Sequence, residues 1–305
     1  MFERTLLTVI FFMLLTPYGI ALEKSEKLLF EKNSLYQYIS VIEDTSKKER
    51  YIRNNKRELR QGGIYIGAPD KLLFEYTKMA FISLAFKDKD PKDVLFVGLG
   101  SGSMPRYLNK YYPTVNIDIV EIDPDIVSVA KKYFYFKENE RMKVSVNDGR
   151  TFIKRTPKKY DMIFLDAYQN DYIPFHLTTL EFLREVKSRL RDDGVVVSNV
   201  LSEYRNKFFD SMVVTYKKVF PQLYIFPGRQ SRNFIFVATL SGRFRAQEGI
   251  MGDARRIKKF RGLDIDMTGI AESDELSTAY EKKSAKILTD DFAPVNLYKY
   301  QKSND

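Results

Sequence analysis

The residues of this chain best suited to chemistry sit just after short apolar runs. Val94-Leu95-Phe96-Val97 leads into Gly98-Leu99-Gly100-Ser101-Gly102, a turn whose glycines let backbone approach a ligand with no Cβ in the way. Val115 to Val120 runs into Glu121, a carboxylate placed to bind both hydroxyls of a ribose. Lys143 to Val146 is followed by Asp148-Gly149, where a carboxylate can accept from an adenine amino group. A dinucleotide fingerprint would carry its third glycine at position 103, and Ser103 stands there instead. A glycine turn and two acids at three successive strand ends, with nothing to hold a pyrophosphate, describe an adenosine clamp of the S-adenosylmethionine type. The competing reading is a doubly wound domain with fortuitous acids at its strand tips.

Composition removes most other chemistry. Among 305 residues there is no cysteine and one histidine, His176. Disulfides, thiolate metal sites, Fe–S clusters and a cysteine nucleophile are excluded, as is a multi-histidine metal site. A Ser-His-Asp triad would depend on His176 alone. No metal is expected. The net charge of +10 is concentrated in Lys47 to Arg60 and Arg243 to Arg261, each with seven basic and two acidic residues. Neither stretch has the interleaved aromatics of a single-strand groove, so both read as solvated surface and no nucleic-acid partner is expected.

These side chains need a scaffold, and the spacing of apolar residues supplies one. From Asp93 onward strands alternate with helices: a helix from about Met104, another opened by Pro124, and further helical patterns over Thr178–Leu190 and Glu203–Val219. Met162 to Leu165 and Val195 to Val200 add strands, and Tyr224–Phe226 with Asn233–Thr239 read as a closing hairpin around Gly228 to Arg232. Near-continuous apolar strands between helices mean a mostly parallel sheet covered on both faces, an α/β fold. Ahead of it, Tyr36–Ile42, Glu49–Ile52 and Ile64–Ile66 read as a small antiparallel β-unit punctuated by Gly62-Gly63 and Gly67-Ala68-Pro69-Asp70. Glu23 to Asn33 reads as a frayed helix or linker, and a helix bearing Leu73, Tyr76, Thr77, Ala80 and Leu84 joins the two parts.

At the N-terminus, Leu6 to Thr16 is nearly unbroken apolar sequence, followed by Pro17 and small residues at Gly19 and Ala21. That order is a secretory signal cleaved after Ala21, giving an exported chain; uncleaved, Thr5 to Ala21 has about the length of a membrane anchor. The expected organisation is a signal over 1–21, a linker and β-unit over 22–70, a catalytic domain over 71–240 and a charged extension over 241–305.

As a set, Tyr36-Gln37, Gln61, Phe74-Glu75-Tyr76, Gly98–Gly102, Val120-Glu121-Ile122-Asp123, Asp148-Gly149 and Tyr160-Asp161 through Asp166 resemble the polyamine aminopropyltransferases, the spermidine/spermine synthase family. Asp166-Ala167-Tyr168, Ile173–Leu177 and Thr289-Asp290-Asp291-Phe292-Ala293-Pro294 look most like a divergent bacterial branch of it. The resemblance implies a class I methyltransferase-like (Rossmann-like) sheet behind a β-hairpin unit. It also implies decarboxylated S-adenosylmethionine as co-substrate, putrescine or a related polyamine as acceptor, and association into a homodimer through the β-unit. By the same matching, Asp166 is the base that holds the amine and takes its proton, its alternative being a loop-fixing aspartate. Gln37, Gly98, Gly100, Gly102, Glu121, Asp148 and Gly149 would hold the nucleoside, and Gln61 and Tyr76 would line the amine pocket.

The chain departs from the family at three places. Ser101 replaces an aspartate that holds the aminopropyl ammonium, Thr77 replaces a Gln or His, and Gln169-Asn170 replaces a second aspartate and its proline. Asp171 is the substitute carboxylate, provided its loop folds inward. Ser101 also leaves open a methyltransferase using ordinary S-adenosylmethionine, and an exported location leaves open a non-catalytic polyamine or nucleoside binder. His176 reads as a loop-packing residue, with a catalytic role as the alternative.

Overall fold

The computed structural model describes residues 22–54, 60–167, 174–201, 208–231, 233–272 and 285–292. The signal expected over 1–21, and Tyr168, Gln169, Asn170 and Asp171, lie outside the described residues. Among the described residues no helix is long and apolar enough to cross a membrane.

The first part of the chain is an antiparallel sheet of five strands in sequential order: β1 (Glu26–Asn33), β2 (Tyr38–Asp44), β3 (Glu49–Asn54), β4 (Arg60–Tyr65) and β5 (Ala68–Leu72). The segment Glu23 to Asn33, expected as frayed helix or linker, is mostly β1. Its pairing with β2 supplies the hydrogen bonds, and its charged flanks suit an edge strand. Gly67-Ala68-Pro69-Asp70, expected as a turn, contains only the end of one at Gly67 and then the start of β5.

Helix α1 (Glu75–Ala80) and a 3-10 turn over Phe81–Phe86 lead into the second sheet. Its strands are β6 (Asp93–Val97), β7 (Asn116–Glu121), β8 (Met142–Val146), β9 (Tyr160–Leu165), β10 (Leu190–Leu201), β11 (Gln222–Pro227) and β12 (Asn233–Thr239). The spatial order is β11-β12-β10-β9-β6-β7-β8, parallel except for β12, which runs antiparallel to β10 and β11. The crossover helices are α2 (Ser103–Tyr111), α3 (Pro124–Tyr133), α4 (Gly149–Arg155), α5 (Leu180–Ser188) and α6 (Phe209–Val219). The α6 pattern was expected from Glu203; residues 202–207 lie outside the described ones.

Every residue of β6 and of β9 is buried, which is why these runs read as continuous apolar sequence rather than as alternation. Val94 and Phe96 face one core layer, where Phe96 stacks on Phe164 with ring centres 4.4 Å apart; Leu95 and Ile163 face the other. The first layer continues into the small sheet through Ile39, Val41, Ile52 and Ile64, so the two sheets share one core. Past residue 241, α7 (Gln247–Arg261) and α8 (Met267–Ala271) bury Ile250, Ala254, Met267 and Ala271 in that same layer. The basic residues of α7 are exposed; Arg256 pairs with Asp253, as does Arg245 ahead of the helix.

Strand order reverses between β6, which continues to β7 and β8, and β9, which starts the other half. A crevice at the carboxyl ends of the strands is the geometric consequence, and there the ligands of open α/β sheets bind.

Candidate active site

A cleft of about 540 Å³ opens at that point, walled by the strand ends of the large sheet on one side and by Gln37, Ile52, Gln61 and Gly62 of the small sheet on the other. Its floor is the glycine turn. Gly98 adopts φ +102, and a Cβ there would lie 2.5 Å from the carbonyl oxygen of Asp166, so only glycine lets β6 and β9 run on side by side. Gly100, at φ +54, lines the cleft, and a Cβ on it would meet nothing within 4 Å. Gly102 does not line the cleft. It caps α2 at φ +71, against the ring of Phe136. Ser101 is buried beneath Gly62, whose added Cβ would come 3.0 Å from the Ser101 nitrogen.

Glu121, at the tip of β7, points back across this turn. Its Oε2 accepts from the Leu99 N–H at 2.9 Å and its Oε1 from the Asp123 N–H at 3.0 Å. Each oxygen keeps a lone pair, enough to receive one hydroxyl apiece. Burial pushes its carboxyl above the ordinary range, opposed by the Leu99, Asp123 and Ile122 amides and reinforced by the Asp123 charge. Gln37 lines the same wall with its amide 3.4 Å from Asp123, which also receives Ser34 Oγ at 2.6 Å and caps α3 through the Asp125 N–H. Gln37 therefore reaches the cleft from the β1–β2 turn and lies beside the tip of β7.

Asp148 caps α4, a helix not anticipated in the sequence: its Oδ1 accepts from the Thr151 N–H at 2.8 Å. Its Oδ2 lies 3.1 Å from His176 Nε2. His176, expected as a loop-packing residue with no partner, thus faces a carboxylate that lines the cleft. Burial pushes the Asp148 carboxyl up, but the Thr151 amide and His176 outweigh it and leave it below its usual range. A Cβ on Gly149 would lie 2.5 Å from Val97 Cγ1, so this glycine allows α4 to pack on β6.

Asp166 continues β9, its N–H bonded to the Val97 carbonyl at 2.9 Å. Burial in the cleft pushes its carboxyl up to about 7; Asn199 counters this by donating to Oδ1 at 2.9 Å, and the Glu121 charge adds to the rise. Asn199 is oriented in turn by Asn233, whose amide donates to its carbonyl at 2.7 Å. Across the cleft, Tyr76 donates to the Gln61 carbonyl at 2.8 Å, and burial beside Asp166 keeps its phenol protonated well above the usual range. Thr77, in contrast, turns its hydroxyl to the Phe74 carbonyl at 2.7 Å.

Asn199, Asn233 and Glu75 had not been singled out for these roles. Ser198-Asn199 interrupts the apolar run that begins at Val195, which was the available signal. Glu75 accepts from the N–H groups of Arg229, Gln230 and Ser231 at 3.1, 2.8 and 2.6 Å, so the turn before β12 is tied to α1 and contributes Gln230 and Ser231 to the cleft. Among the described residues one carboxylate group, Glu23 with Glu26 and Asp44, comes close enough to hold a cation; none of the three lines the cleft, and Lys47 and Arg53 already pair there.

Such a cleft offers hydroxyl and amino acceptors on one side and a buried, weakly acidic carboxyl on the other. A polyamine aminopropyltransferase of Vibrio vulnificus is 35% identical over 94% of this chain and 95% of its own length. A probable spermidine synthase of Corynebacterium glutamicum shares the fold, with a TM-score of 0.61 at 22% identity over 83% of this chain and 99% of that one. Human methyltransferase-like protein 13, solved with SAH, superposes with a TM-score of 0.58 at 28% identity over 64% of this chain and 95% of that one. Residues 73–230 match the spermine/spermidine synthase domain, and the chain belongs to that family.

Proposed function

We propose that this protein moves an aminopropyl group from decarboxylated S-adenosylmethionine to putrescine or a related amine. The observation that carries the reading is Asp166: a buried carboxyl at about 7, held by Asn199, in the same cleft as Glu121 and Asp148. The free lone pairs of Glu121 fit the ribose hydroxyls, Asp148 fits the adenine amino group, and the open space beside Gly100 fits the close approach of a ligand. Bound there, the co-substrate supplies a sulfonium-activated carbon and leaves as methylthioadenosine.

The chain's own part is to orient and to deprotonate. An alkylammonium has a pKa of about 10 and no lone pair to attack with, so the site must remove a proton. Ionised Asp166 attracts the ammonium and accepts that proton, and its raised basicity makes it a better acceptor than an exposed aspartate. Asn199 and Asn233 fix the carboxyl plane, so the amine is delivered in one direction. Tyr76, kept protonated, and the Gln61 carbonyl give the amine pocket a neutral polar wall. With Ser101 and Thr77 in place of the family's charged or larger polar groups, the wall around the co-substrate chain is less acidic. That observation also favours a second reading, transfer of a methyl group from ordinary S-adenosylmethionine.

Product identification separates the two. The purified chain, given each co-substrate with a mixture of diamines, should release methylthioadenosine and a lengthened amine. S-adenosylhomocysteine as the product would replace this reading with methyl transfer. We also propose that the chain is exported: N-terminal sequencing of the protein from whole cells should begin at Leu22, and an intact Met1 would refute cleavage.

A further inference from the structure

The charged motif near the C-terminus occupies an unexpected place. Thr289 and Phe292 exchange both backbone hydrogen bonds at 3.0 Å, closing a tight turn around Asp290 and Asp291. Leu288 pins this turn to the domain. Its side chain is fully buried in the layer of α5 and α6, its N–H donates to Thr215 Oγ1 at 3.0 Å, and its carbonyl accepts from Leu180 at 2.8 Å.

From that anchor the Asp290 carboxylate receives both arms of the Arg150 guanidinium, each at 2.7 Å, and the Thr179 hydroxyl at 2.7 Å. Its own N–H donates to Glu181 Oε2 at 2.9 Å. Arg150 follows Gly149 in the first turn of α4. The same guanidinium donates to Glu185 of α5 at 2.9 and 3.0 Å, and to the His176 carbonyl at 3.3 Å. One planar fork thus joins α4, α5, the C-terminal turn and the turn that carries His176, a task the point charge of a lysine does not perform. The series of contacts ends inside the cleft, where the His176 ring meets Asp148 Oδ2 at 3.1 Å and Pro174, His176 and Leu177 form part of the wall.

We infer that Asp290 and Arg150 are positioning residues for the nucleoside half of the cleft, holding the His176 turn so that His176 sets the Asp148 carboxylate for its ligand. The inference rests on the adenosine-binding reading of Glu121 and Asp148, and is independent of which group is transferred. Losing Asp290 leaves Arg150 held by Glu185 alone, and the nitrogen that reaches the His176 carbonyl loses its carboxylate partner. The Asp148 carboxylate then keeps its helix-capping bond and loses the constraint on its other oxygen.

The test uses the full chain with methylthioadenosine as the calorimetric probe, alongside steady-state kinetics. Asp290→Ala should weaken methylthioadenosine about tenfold and raise the co-substrate KM by a like factor, with kcat and amine KM within about twofold of the parent. Arg150→Lys should do the same, and the double variant should be no worse than either single one, because both act through one series of contacts. Should Asp290→Ala fold poorly, Asp290→Asn keeps the acceptor for Thr179 while removing the charge, and the same weakening is expected. Variants that melt earlier yet bind methylthioadenosine like the parent would overturn the inference and leave only a structural strap. A parent protein that binds no methylthioadenosine would instead overturn the adenosine reading itself, and this inference with it.

Discussion

Replacing Asn199 with alanine should move the acid limb of the reaction and leave its chemistry intact. Asp166 has its carboxyl near 7 because burial raises it while the Asn199 amide, 2.9 Å away, stabilises the ionised form. A hydrogen bond to a charged group contributes about 1.5–3 kcal/mol, which is about one to two pKa units. Its removal disfavours the carboxylate, so the carboxyl titrates higher, at about 8 to 9. At pH 7 the ionised fraction then falls from about a half to between about a tenth and a hundredth, a loss of about 5- to 50-fold in kcat/KM. The deficit should shrink as pH rises through the new limb, down to the pH-independent part left by the lost orientation of the carboxyl. The assay is methylthioadenosine release against pH at subsaturating amine, where kcat/KM reports the free-enzyme ionisation. An unmoved limb, a limb shifted downward, or an equal loss at every pH would refute Asp166 as the titrating base.

Other perturbations follow from the same geometry. Glu121→Gln must turn an amide NH2 toward either the Leu99 or the Asp123 N–H, so methylthioadenosine affinity measured by calorimetry should fall about 100-fold. Gly98→Ala places a methyl 2.5 Å from the Asp166 carbonyl at φ +102, and should cost about 1–3 kcal/mol in a denaturant melt. Glu75→Ala strands three N–H groups of the Arg229–Ser231 turn; a drop of about 1–2 kcal/mol in stability is expected, with a lower kcat because Asn233, the support of Asn199, begins just after that turn.

The scaffold was largely legible because parallel strands buried on both faces leave an unmistakable apolar run, and because the acids that line the cleft follow those runs directly. What escaped notice has a common physical character. Strand β1 mixes Leu28, Leu29 and Phe30 with charged neighbours, as an edge strand tolerates, so periodicity alone did not separate it from a helix. Helix α4 begins at a glycine and is short, and its visible mark is the Asp148 cap. The remaining site features are pairs distant in sequence: His176 with Asp148, Asn199 with Asp166, and Asp290 with Arg150. Each depends on how crossovers return to the sheet, which residue spacing does not encode. The resemblance to the synthase family supplied Asp166 as base, whereas only the folded cleft supplies the two asparagines behind it.

The most direct measurement follows the transferred atoms. Decarboxylated S-adenosylmethionine deuterated in its aminopropyl chain is incubated with putrescine and the intact chain, with Asp166→Asn in parallel, and the amines are read by mass spectrometry. The account predicts a deuterated aminopropyl adduct of putrescine in equal amount with methylthioadenosine, and a loss of at least about 100-fold in the variant. Unlabelled putrescine beside unconsumed co-substrate, or an adduct carrying only a methyl group, would contradict it.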